Sequence, residues 1–297
     1  MSKLTLVVLA AGLGSRYGGL KQMNGFGPSN ETLLEYGVYD AIQAWFEKVV
    51  FIIRESFAQE FKDRIWSKLS KKIEVTYVCQ EIDAQVPEQF VWLIPDRQKP
   101  RGTAHAVLVA RDVVTTPFAV INADDFYGRA AYLQIATFLH TSAPEDMWLV
   151  GYVLKNTISP YGAVNRGVCS VDAGKLVSVH EHLKINSQEG DFVDQEGIVV
   201  APDAIVSMNF RWFHPSFFQA IEDWFIKFLS LYALQKKGEY FIPLTVDTYL
   251  QQHKWTCEVM MSHDIRCGVT YPEDNPFVQQ HIGSLVKQWV YPEKLWD

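Results

Sequence analysis

Short apolar runs alternate with longer amphipathic segments through the first half of the chain, and this alternation limits the fold more than any other feature. Four runs are apolar almost throughout, which is typical of strands buried on both faces, and they lie at 4–10, 48–53, 73–79 and 117–123. Apolar residues at helical spacing between the runs predict helices at 31–47, 56–70 and 103–111. Strands that alternate with helices form mostly parallel sheets, whose ligands bind beyond the carboxyl ends of the strands.

The second half of the chain has a different pattern. From about residue 146 the strand-like segments follow one another closely, which favours antiparallel or mixed pairing. Helical segments at 215–235 and 242–252 and a strand at 256–262 complete it. Because no linker or repeat interrupts the 297 residues, we expect a single domain over 1–297. The predicted architecture is a Rossmann-like three-layer αβα domain with a mixed, mostly parallel central sheet.

Charge and cysteine content exclude some classes of partner. The net charge of -7 gives no support to nucleic-acid or anionic-membrane binding, which favours a basic face. The four cysteines form no C-x-x-C pair, which suits reduced thiols in a cytoplasmic protein better than disulfides or a zinc site. The first apolar run is too short for a membrane span. We therefore expect a cytoplasmic protein, and a small anionic substrate stays open because a local basic site can lie inside an acidic protein.

The first apolar run leads directly into a glycine-rich loop, LAAGLGSRYGGLKQ, at 9–22. A dinucleotide-binding fingerprint would need a third glycine where Tyr17 stands, and a Walker loop would need a lysine where Leu20 stands. The glycines still let backbone N–H groups turn toward an anion, and Arg16 and Lys21 can offset the charge of a triphosphate. The helix that begins near residue 30 or 31 would add its positive end if it faced the same site. The loop predicts phosphate binding of another kind, with a glycine-rich turn carrying two solvated cations as the alternative.

Several segments together resemble the nucleotidyltransferases that join a nucleoside triphosphate to a sugar 1-phosphate. The opening loop is similar to the signature of that family, LAAG-x-G-x-R followed by a Lys-Gln pair. Later segments match in the family's order: QKPRGTAHAV (98–107), INADDFYG (121–128), VGYVLKNTISPYGAVNRG (150–167), LVSVHEH (176–182) and IVSMNFRWF (205–213). The resemblance extends to about residue 215. It implies a nucleotide-binding part at 1–146, and a sugar-phosphate-binding part with C-terminal helices at 147–297.

The resemblance implies transfer of a nucleotidyl group to a sugar 1-phosphate with release of pyrophosphate. Catalytic roles then fall to Arg16, Lys21 and Asp124, with Lys21 nearest the α-phosphate. The implied nucleotide site consists of Ala11, Gly12, Gly14, Gln80 and Gly102.

Gln80 is the residue implied to read the base. A glutamine offers both a donor and an acceptor, which suits the N3–H and O4 edge of uracil or thymine, so UTP or dTTP is favoured. In the resembling family the glycine at the position of Gly102 lets the backbone approach the base. The long irregular segment 81–102 separates the two residues, so Gln98 is a competitor, and loops of that length are often functional. An ordinary surface glutamine is the alternative.

Asp124 and Asp125 directly follow the fourth apolar run. Unpaired carboxylates are unfavourable there, and Mg²⁺ prefers oxygen ligands and bridges phosphates. The resemblance implies that Asp124, ahead of Asp125, holds Mg²⁺, whereas two turn aspartates are the alternative. The family commonly has a second metal-binding aspartate before a G-T-P-E-like turn. RCGVTYPED (266–274) has Gly268 at that position, with Asp264 and Asp274 out of register. Either Asp124 and Asp125 hold Mg²⁺ together with phosphate oxygens and water, or the second protein ligand lies elsewhere in the chain.

The resemblance assigns Gly162 and Glu181 to the sugar. The lysine that usually follows this glutamate and contacts the sugar phosphate is absent, and His182 occupies its place. Lys184 lies two residues further on, where strand alternation would give it the same face, and is the candidate for the sugar phosphate. A solvated strand face is the alternative for this segment.

Two rival functions share the loop signature or the fold. One is a cytidylyltransferase that acts on phosphocholine-like acceptors, which only the base and acceptor sites would distinguish. The other is a non-catalytic nucleotide-sensing protein, favoured only by the missing second aspartate. The expected partners are a nucleoside triphosphate and a sugar 1-phosphate, without nucleic acid or membrane, and the oligomeric state stays open.

Overall fold

The first half of the chain forms one side of the central sheet, and its strands there are parallel. The computed structural model describes residues 3–12, 24–94, 97, 99–138, 143–188, 190–232, 238–252, 255–262 and 267–296. The predicted strands are present as β1 (Thr5–Leu9), β2 (Lys48–Ile53), β3 (Glu74–Cys79) and β4 (Phe118–Asn122). β1 pairs in parallel with both β2 and β4, and β2 pairs in parallel with β3. The carboxyl ends of these strands therefore share one edge of the sheet.

The second half of the chain extends the same sheet mainly by antiparallel pairing. Its strands are β5 (Asp125–Phe126), β6 (Asp146–Val153), β7 (Val164–Asp172), β8 (Lys175–Gln188), β9 (Asp191–Val193), β10 (Val199–Val200), β11 (Ile205–Phe213), β12 (Thr256–Met261) and β13 (Cys267–Gly268). The order in the large sheet is β10-β9-β8-β12-β6-β11-β4-β1-β2-β3, with β7 against β8 and β11, and β5 and β13 form a separate two-stranded sheet.

The expectation of a mostly parallel sheet holds only for the first half. β11 is antiparallel to β4, β6 and β7, and among the described residues of the second half only the β6–β12 pair adds a parallel ladder. For β7 and β8 the reason is local, because the two strands are joined by a tight turn at Ala173 and Gly174, both at positive φ. A connection that short joins antiparallel strands only. The fold is accordingly a mixed α/β arrangement with a large mixed sheet.

Helices cover both faces of this sheet. They are α1 (Leu33–Gln43), α2 (Ala58–Phe61), α3 (Ser67–Leu69), α4 (Thr103–Leu108), α5 (Arg129–Phe138), α6 (Phe217–Tyr232), α7 (Ile242–Gln251) and α8 (Asn275–Lys287), and a π-helical turn at Lys62–Trp66 joins α2 to α3. Alternate residues of β1 enter different cores: Leu6 and Val8 pack with α1, α2, α3 and α5, whereas Val7 packs with α4, α6 and α7. This alternation is what strands buried on both faces require.

The first helix begins later than the sequence pattern predicts. Thr32 caps it, since the Thr32 hydroxyl accepts a hydrogen bond from the Glu35 backbone and the Glu35 carboxylate accepts one from the Thr32 backbone at 2.8 Å. This capping box fixes the start at Leu33. In the part of the chain that the structure covers, no helix has both the length and the apolar character needed to cross a membrane.

Candidate active site

A cleft with a volume of about 490 Å³ opens at the carboxyl edge of the parallel strands. Its lining includes sequence-predicted residues from separate parts of the chain: Ala11, Gly12, Gln80, Gly102, Asp124 and Glu181. The expectation that ligands bind at this edge of the sheet agrees with the position of the cleft. Gly14, Arg16 and Lys21 lie outside the residues that the structure describes, as does the competitor Gln98.

A second cavity, of about 250 Å³, adjoins the cleft. The two share their central residues, namely Asn122, Asp124, Asn165, Glu181 and Asn209. The second cavity adds Asp125, Arg166, Ser207 and Thr270. Because β4 supplies one side of this junction and β7, β8 and β11 supply the other, the junction lies between the two halves of the sheet.

The N-terminus of α1 does not line the cleft. Thr32 and Glu35 instead line a separate cavity with Asp63, Arg64 and Lys68. The capping box already uses N–H groups of this first turn, so the helix does not offer them to a ligand in the cleft. The expected role of this helix end in phosphate binding depends on the loop at 13–23, which lies outside the described residues.

Gln80 and Gly102 form one wall of the cleft. Gln80 is buried, and its Nε2 atom donates a hydrogen bond to the Gly102 carbonyl oxygen at 2.9 Å. The φ angle of Gly102 is 91°, and a Cβ atom on it would lie 2.8 Å from the Tyr240 carbonyl oxygen. Only glycine suits this backbone conformation and this close approach. The structure thus brings together the two residues that the sequence assigned to the base.

The acidic pair lies at the centre of the junction between the cavities. Asp124 is half-buried in the turn after β4, and its backbone oxygen accepts from the Val269 N–H at 3.1 Å. Asp125 is buried, and its carboxylate accepts from the Asn122 side-chain amide at 2.8 Å. Gly268 pairs with Asp125 across the small sheet, so the position of the family's second aspartate lies beside the acidic pair without a carboxylate.

Of the other two acidic candidates, Asp274 uses its carboxylate elsewhere. Asp274 holds its own turn, because its carboxylate accepts from Ser159 Oγ at 2.8 Å and from the backbone N–H groups of Thr270 and Tyr271 at 2.9 and 2.8 Å. Asp264 lies outside the described residues. Among those described, no group of three or more histidine, cysteine, aspartate or glutamate residues could hold a metal ion by itself.

The donors around Asp124 nevertheless fit Mg²⁺. The polar neighbours that share both cavities with Asp124 are the side chains of Asn122, Asn165, Asn209 and Glu181, which offer oxygen atoms and no sulfur or imidazole. Mg²⁺ is usually bound by one or two carboxylates together with substrate phosphates.

Glu181 lines both cavities at their junction. Burial raises the pKa of its carboxyl to about 7, and the nearby guanidinium groups of Arg166 and Arg211 oppose that rise. Arg166 is itself held in place, since its Nε donates to Thr157 Oγ1 at 3.0 Å and its guanidinium also donates to the Thr157 carbonyl. Glu181 can therefore exchange a proton near neutral pH.

Gly162 and Lys184 line neither cavity. A Cβ atom on Gly162 would lie 2.5 Å from the ring of Tyr271, so this glycine serves the packing of that ring. Lys184 is exposed and has a φ of 54°, which breaks the strand alternation expected to align it with His182. Its backbone N–H donates to Asn165 Oδ1 at 2.9 Å, whereas His182 Nδ1 lies 2.8 Å from the carboxylate of Asp194.

Three asparagines in the cleft were missed by the sequence analysis. Asn209 lies at a bulge in β11 with a φ of 65°, and its side-chain amide donates to Asn122 Oδ1 at 3.2 Å. Asn165 lines both cavities. For Asn209 the available signal was an asparagine inside the apolar run IVSMNFRWF. Asparagine adopts positive φ more readily than most residues, and such a residue inside a strand marks a bulge. Lys99 and Glu239, which form an ion pair in the cleft lining, gave no such signal.

Comparisons with known proteins identify the family and the fold of the chain. The family model described as nucleotidyl transferase matches residues 5–187, while no curated protein matches the chain in sequence. The inositol-1-phosphate CTP transferase from T. maritima is similar in structure, with a TM-score of 0.67 and 12% identity over 97% of this chain and 98% of that one. UDP-glucose pyrophosphorylase complexed with UDP-glucose is similar with a TM-score of 0.60 and 18% identity over 96% and 99%. At these identities the solved structures show the shared fold. The family model matches more than half of the length of this chain. The chain therefore belongs to the nucleotidyl transferase family and is a nucleotidyltransferase.

Proposed function

We propose that this protein transfers a nucleotidyl group from UTP or dTTP to a sugar 1-phosphate and releases pyrophosphate. The observation that carries the proposal is a single cleft lined by Gln80, Gly102, Asp124 and Glu181. A base-reading amide, a metal-binding carboxylate and a carboxyl for sugar hydroxyls are the groups that this reaction needs around one ligand.

The nucleotide lies along the carboxyl edge of the parallel strands in this proposal. The Gln80 amide nitrogen donates to Gly102, so the carbonyl oxygen is the part of that amide left to accept the N3–H of uracil or thymine. Ala11 and Gly12 bring the backbone to the triphosphate. Gly14, Arg16 and Lys21 extend this site, with Lys21 nearest the α-phosphate.

The acceptor lies in the second cavity. Glu181, Asn165 and Asn209 line it and offer hydrogen-bonding groups to sugar hydroxyls. The names of the similar structures support an acceptor of this class, because one acts on inositol 1-phosphate and the other holds UDP-glucose. Gly162 and Lys184 would then act through Tyr271 and Asn165, which they contact, rather than through the sugar itself.

Asp124 would hold Mg²⁺, with Asp125 beside it, and the bound ion would supply Lewis-acid neutralisation of the phosphate charge. The sugar-phosphate oxygen attacks the α-phosphorus in line, and the bond from that phosphorus to the leaving pyrophosphate breaks. No covalent enzyme intermediate is required. The protein contributes by aligning the two anions and by stabilising the charge that develops on the transferred phosphoryl group.

The test is pyrophosphate release from a matrix of nucleotides and acceptors. UTP, dTTP, CTP, ATP and GTP would each be combined with glucose 1-phosphate, other sugar 1-phosphates, inositol 1-phosphate and phosphocholine, with Mg²⁺ and with excess chelator. We expect release with UTP or dTTP and a sugar 1-phosphate, and none in chelator. Release only from CTP with phosphocholine would favour the cytidylyltransferase. Nucleotide binding without release from any pair would favour a sensing protein.

A further inference from the structure

His105 lies directly behind the base-reading wall without lining the cleft itself. Its side chain is fully buried, and its ring stacks on Phe225 with 5.1 Å between centroids and 20° between planes. Its neighbours Thr103 and Ala106 line the cleft, whereas His105 does not. A buried polar ring at this place needs partners for both nitrogens.

The partners of His105 fix its tautomer. Nε2 lies 2.7 Å from the Ala84 carbonyl oxygen, which can only accept, so Nε2 carries the hydrogen. Burial lowers the pKa of His105 to about 4, and the ring is therefore neutral at physiological pH. Nδ1 is consequently an acceptor.

That acceptor faces Gln80. Gln80 Nε2 lies 3.2 Å from His105 Nδ1 and 2.9 Å from the Gly102 carbonyl oxygen. The two hydrogens of the amide nitrogen are therefore directed at two acceptors inside the protein. Rotating the amide by half a turn would place its oxygen against both, so the rotated state is strongly disfavoured.

Gly102 alone would hold the amide less firmly. Its carbonyl oxygen also accepts the Ala106 N–H at 3.0 Å, within the first turn of α4. His105 Nδ1 is close to one other donor among the described residues, the Arg101 N–H, at the long distance of 3.5 Å. Gln80 is therefore the nearer hydrogen-bond donor to His105 Nδ1, whereas the Gly102 carbonyl oxygen is shared between Gln80 and Ala106.

We propose that His105 is a positioning residue for base selection, which keeps the carbonyl oxygen of Gln80 turned toward the nucleotide. This inference rests on the proposed function, in which a pyrimidine lies against Gln80. With the oxygen outward, the site accepts the N3–H of uracil or thymine and disfavours cytosine, whose N3 atom is itself an acceptor. His105 touches no ligand and acts only through the Gln80 amide.

Two substitutions separate the acceptor of His105 from its ring. His105→Phe keeps a ring that can stack on Phe225 but has no acceptor. His105→Asn loses the ring but places its carbonyl oxygen where Nδ1 lies in histidine. Phe225→Leu is the matched control, because it removes the stacking partner and leaves both nitrogens of His105 in place.

The measurement is the ratio of kcat/KM for UTP over CTP with one sugar 1-phosphate, together with thermal unfolding of each variant. We expect the ratio to fall by about tenfold in His105→Phe, as for one unmatched polar contact. We expect it to stay within about twofold of wild type in His105→Asn and Phe225→Leu, although both are less stable. A ratio kept in His105→Phe, or lost in a folded His105→Asn, would overturn the inference. Should His105→Phe not fold, His105→Leu, which also lacks an acceptor, takes its place.

The wild-type protein distinguishes this inference from the proposal beneath it. If wild-type enzyme shows no preference for UTP over CTP, the base assignment to Gln80 fails. If wild type prefers UTP and His105→Phe keeps that preference, only the role of His105 fails. Equilibrium binding of UTP and CTP, measured without acceptor, gives the same comparison independently of turnover.

Discussion

Gly268 forms an antiparallel pair with Asp125 in the small sheet of β5 and β13, and this pairing places a residue without a side chain beside the acidic pair. The next residue, Val269, donates its N–H to the backbone oxygen of Asp124 at 3.1 Å. The segment at 267–269 therefore supports the acidic turn through its backbone. No carboxylate at position 268 is then available to a metal ion at Asp124, and we propose that substrate phosphates and water supply part of its shell.

Asp124→Asn should abolish turnover and leave the free energy of unfolding nearly unchanged, because Asp124 is half-buried and lines the cleft. Asp125→Asn should reduce turnover less, since an asparagine oxygen can still accept the hydrogen bond from Asn122. Pyrophosphate release and chemical denaturation measure the two effects.

Mg²⁺ should bind weakly to the free protein and strongly with nucleotide, which calorimetry can follow. Normal turnover of Asp124→Asn, or activity in excess chelator, would show that the acidic pair is a structural turn.

Gly102→Ala should lower the free energy of unfolding more than Gly174→Ala. Both glycines have positive φ, at 91° and 80°, so each substitution carries a backbone cost on the order of 1–3 kcal/mol. A Cβ at residue 174 meets no atom within 4 Å, whereas a Cβ at residue 102 lies 2.8 Å from the Tyr240 carbonyl oxygen. Urea denaturation of the two variants gives the comparison. Equal losses would mean that the Tyr240 backbone yields without cost.

Glu181 should make stability depend on pH. Its pKa rises from 4.5 to about 7 in the folded protein, so the folded state keeps a proton that the unfolded chain releases over that interval. The free energy of unfolding should therefore fall as pH rises from about 4.5 to about 7, and this contribution should be constant outside the interval. Glu181→Gln, which carries no titrating carboxyl, should lack this component when denaturation is repeated across the pH range. The same slope in both proteins would contradict the raised pKa.

Gly162→Ala should destabilise the protein by on the order of 1–3 kcal/mol, because the new methyl group overlaps the Tyr271 ring in a packed region. Tyr271→Leu loses the hydrogen bond from the Tyr271 hydroxyl to the Ala163 carbonyl at 3.0 Å, but it makes room for that methyl group. The double variant should lose less free energy of unfolding than the sum of the losses in the two single variants. A double-mutant cycle measures this difference. Additive losses would mean that Gly162 does not serve Tyr271. A change confined to the KM for the acceptor would favour direct sugar contact.

The sequence by itself determined the parallel strands, the edge of the sheet at which the cleft opens, and six of the residues that line the cleft. β1 to β4 lie where the apolar runs predict them, since a run buried on both faces is a local property of the chain. Ala11, Gln80 and Asp124 line the cleft because each follows the end of a parallel strand. The family could likewise be identified from motifs that are contiguous in sequence.

Only the tertiary structure decided which side chains meet. Asn122 and Asn209 are in contact although 87 positions separate them, and the Asp274 carboxylate accepts a hydrogen bond from Ser159, 115 positions distant. The orientation of the Gln80 amide depends on His105, 25 positions away. Local patterns report burial and backbone preference, whereas these contacts depend on strand register and on bulges such as the one at Asn209. A hydrogen bond between distant segments forms only after the fold has brought its two atoms together, so no local pattern in the sequence encodes it.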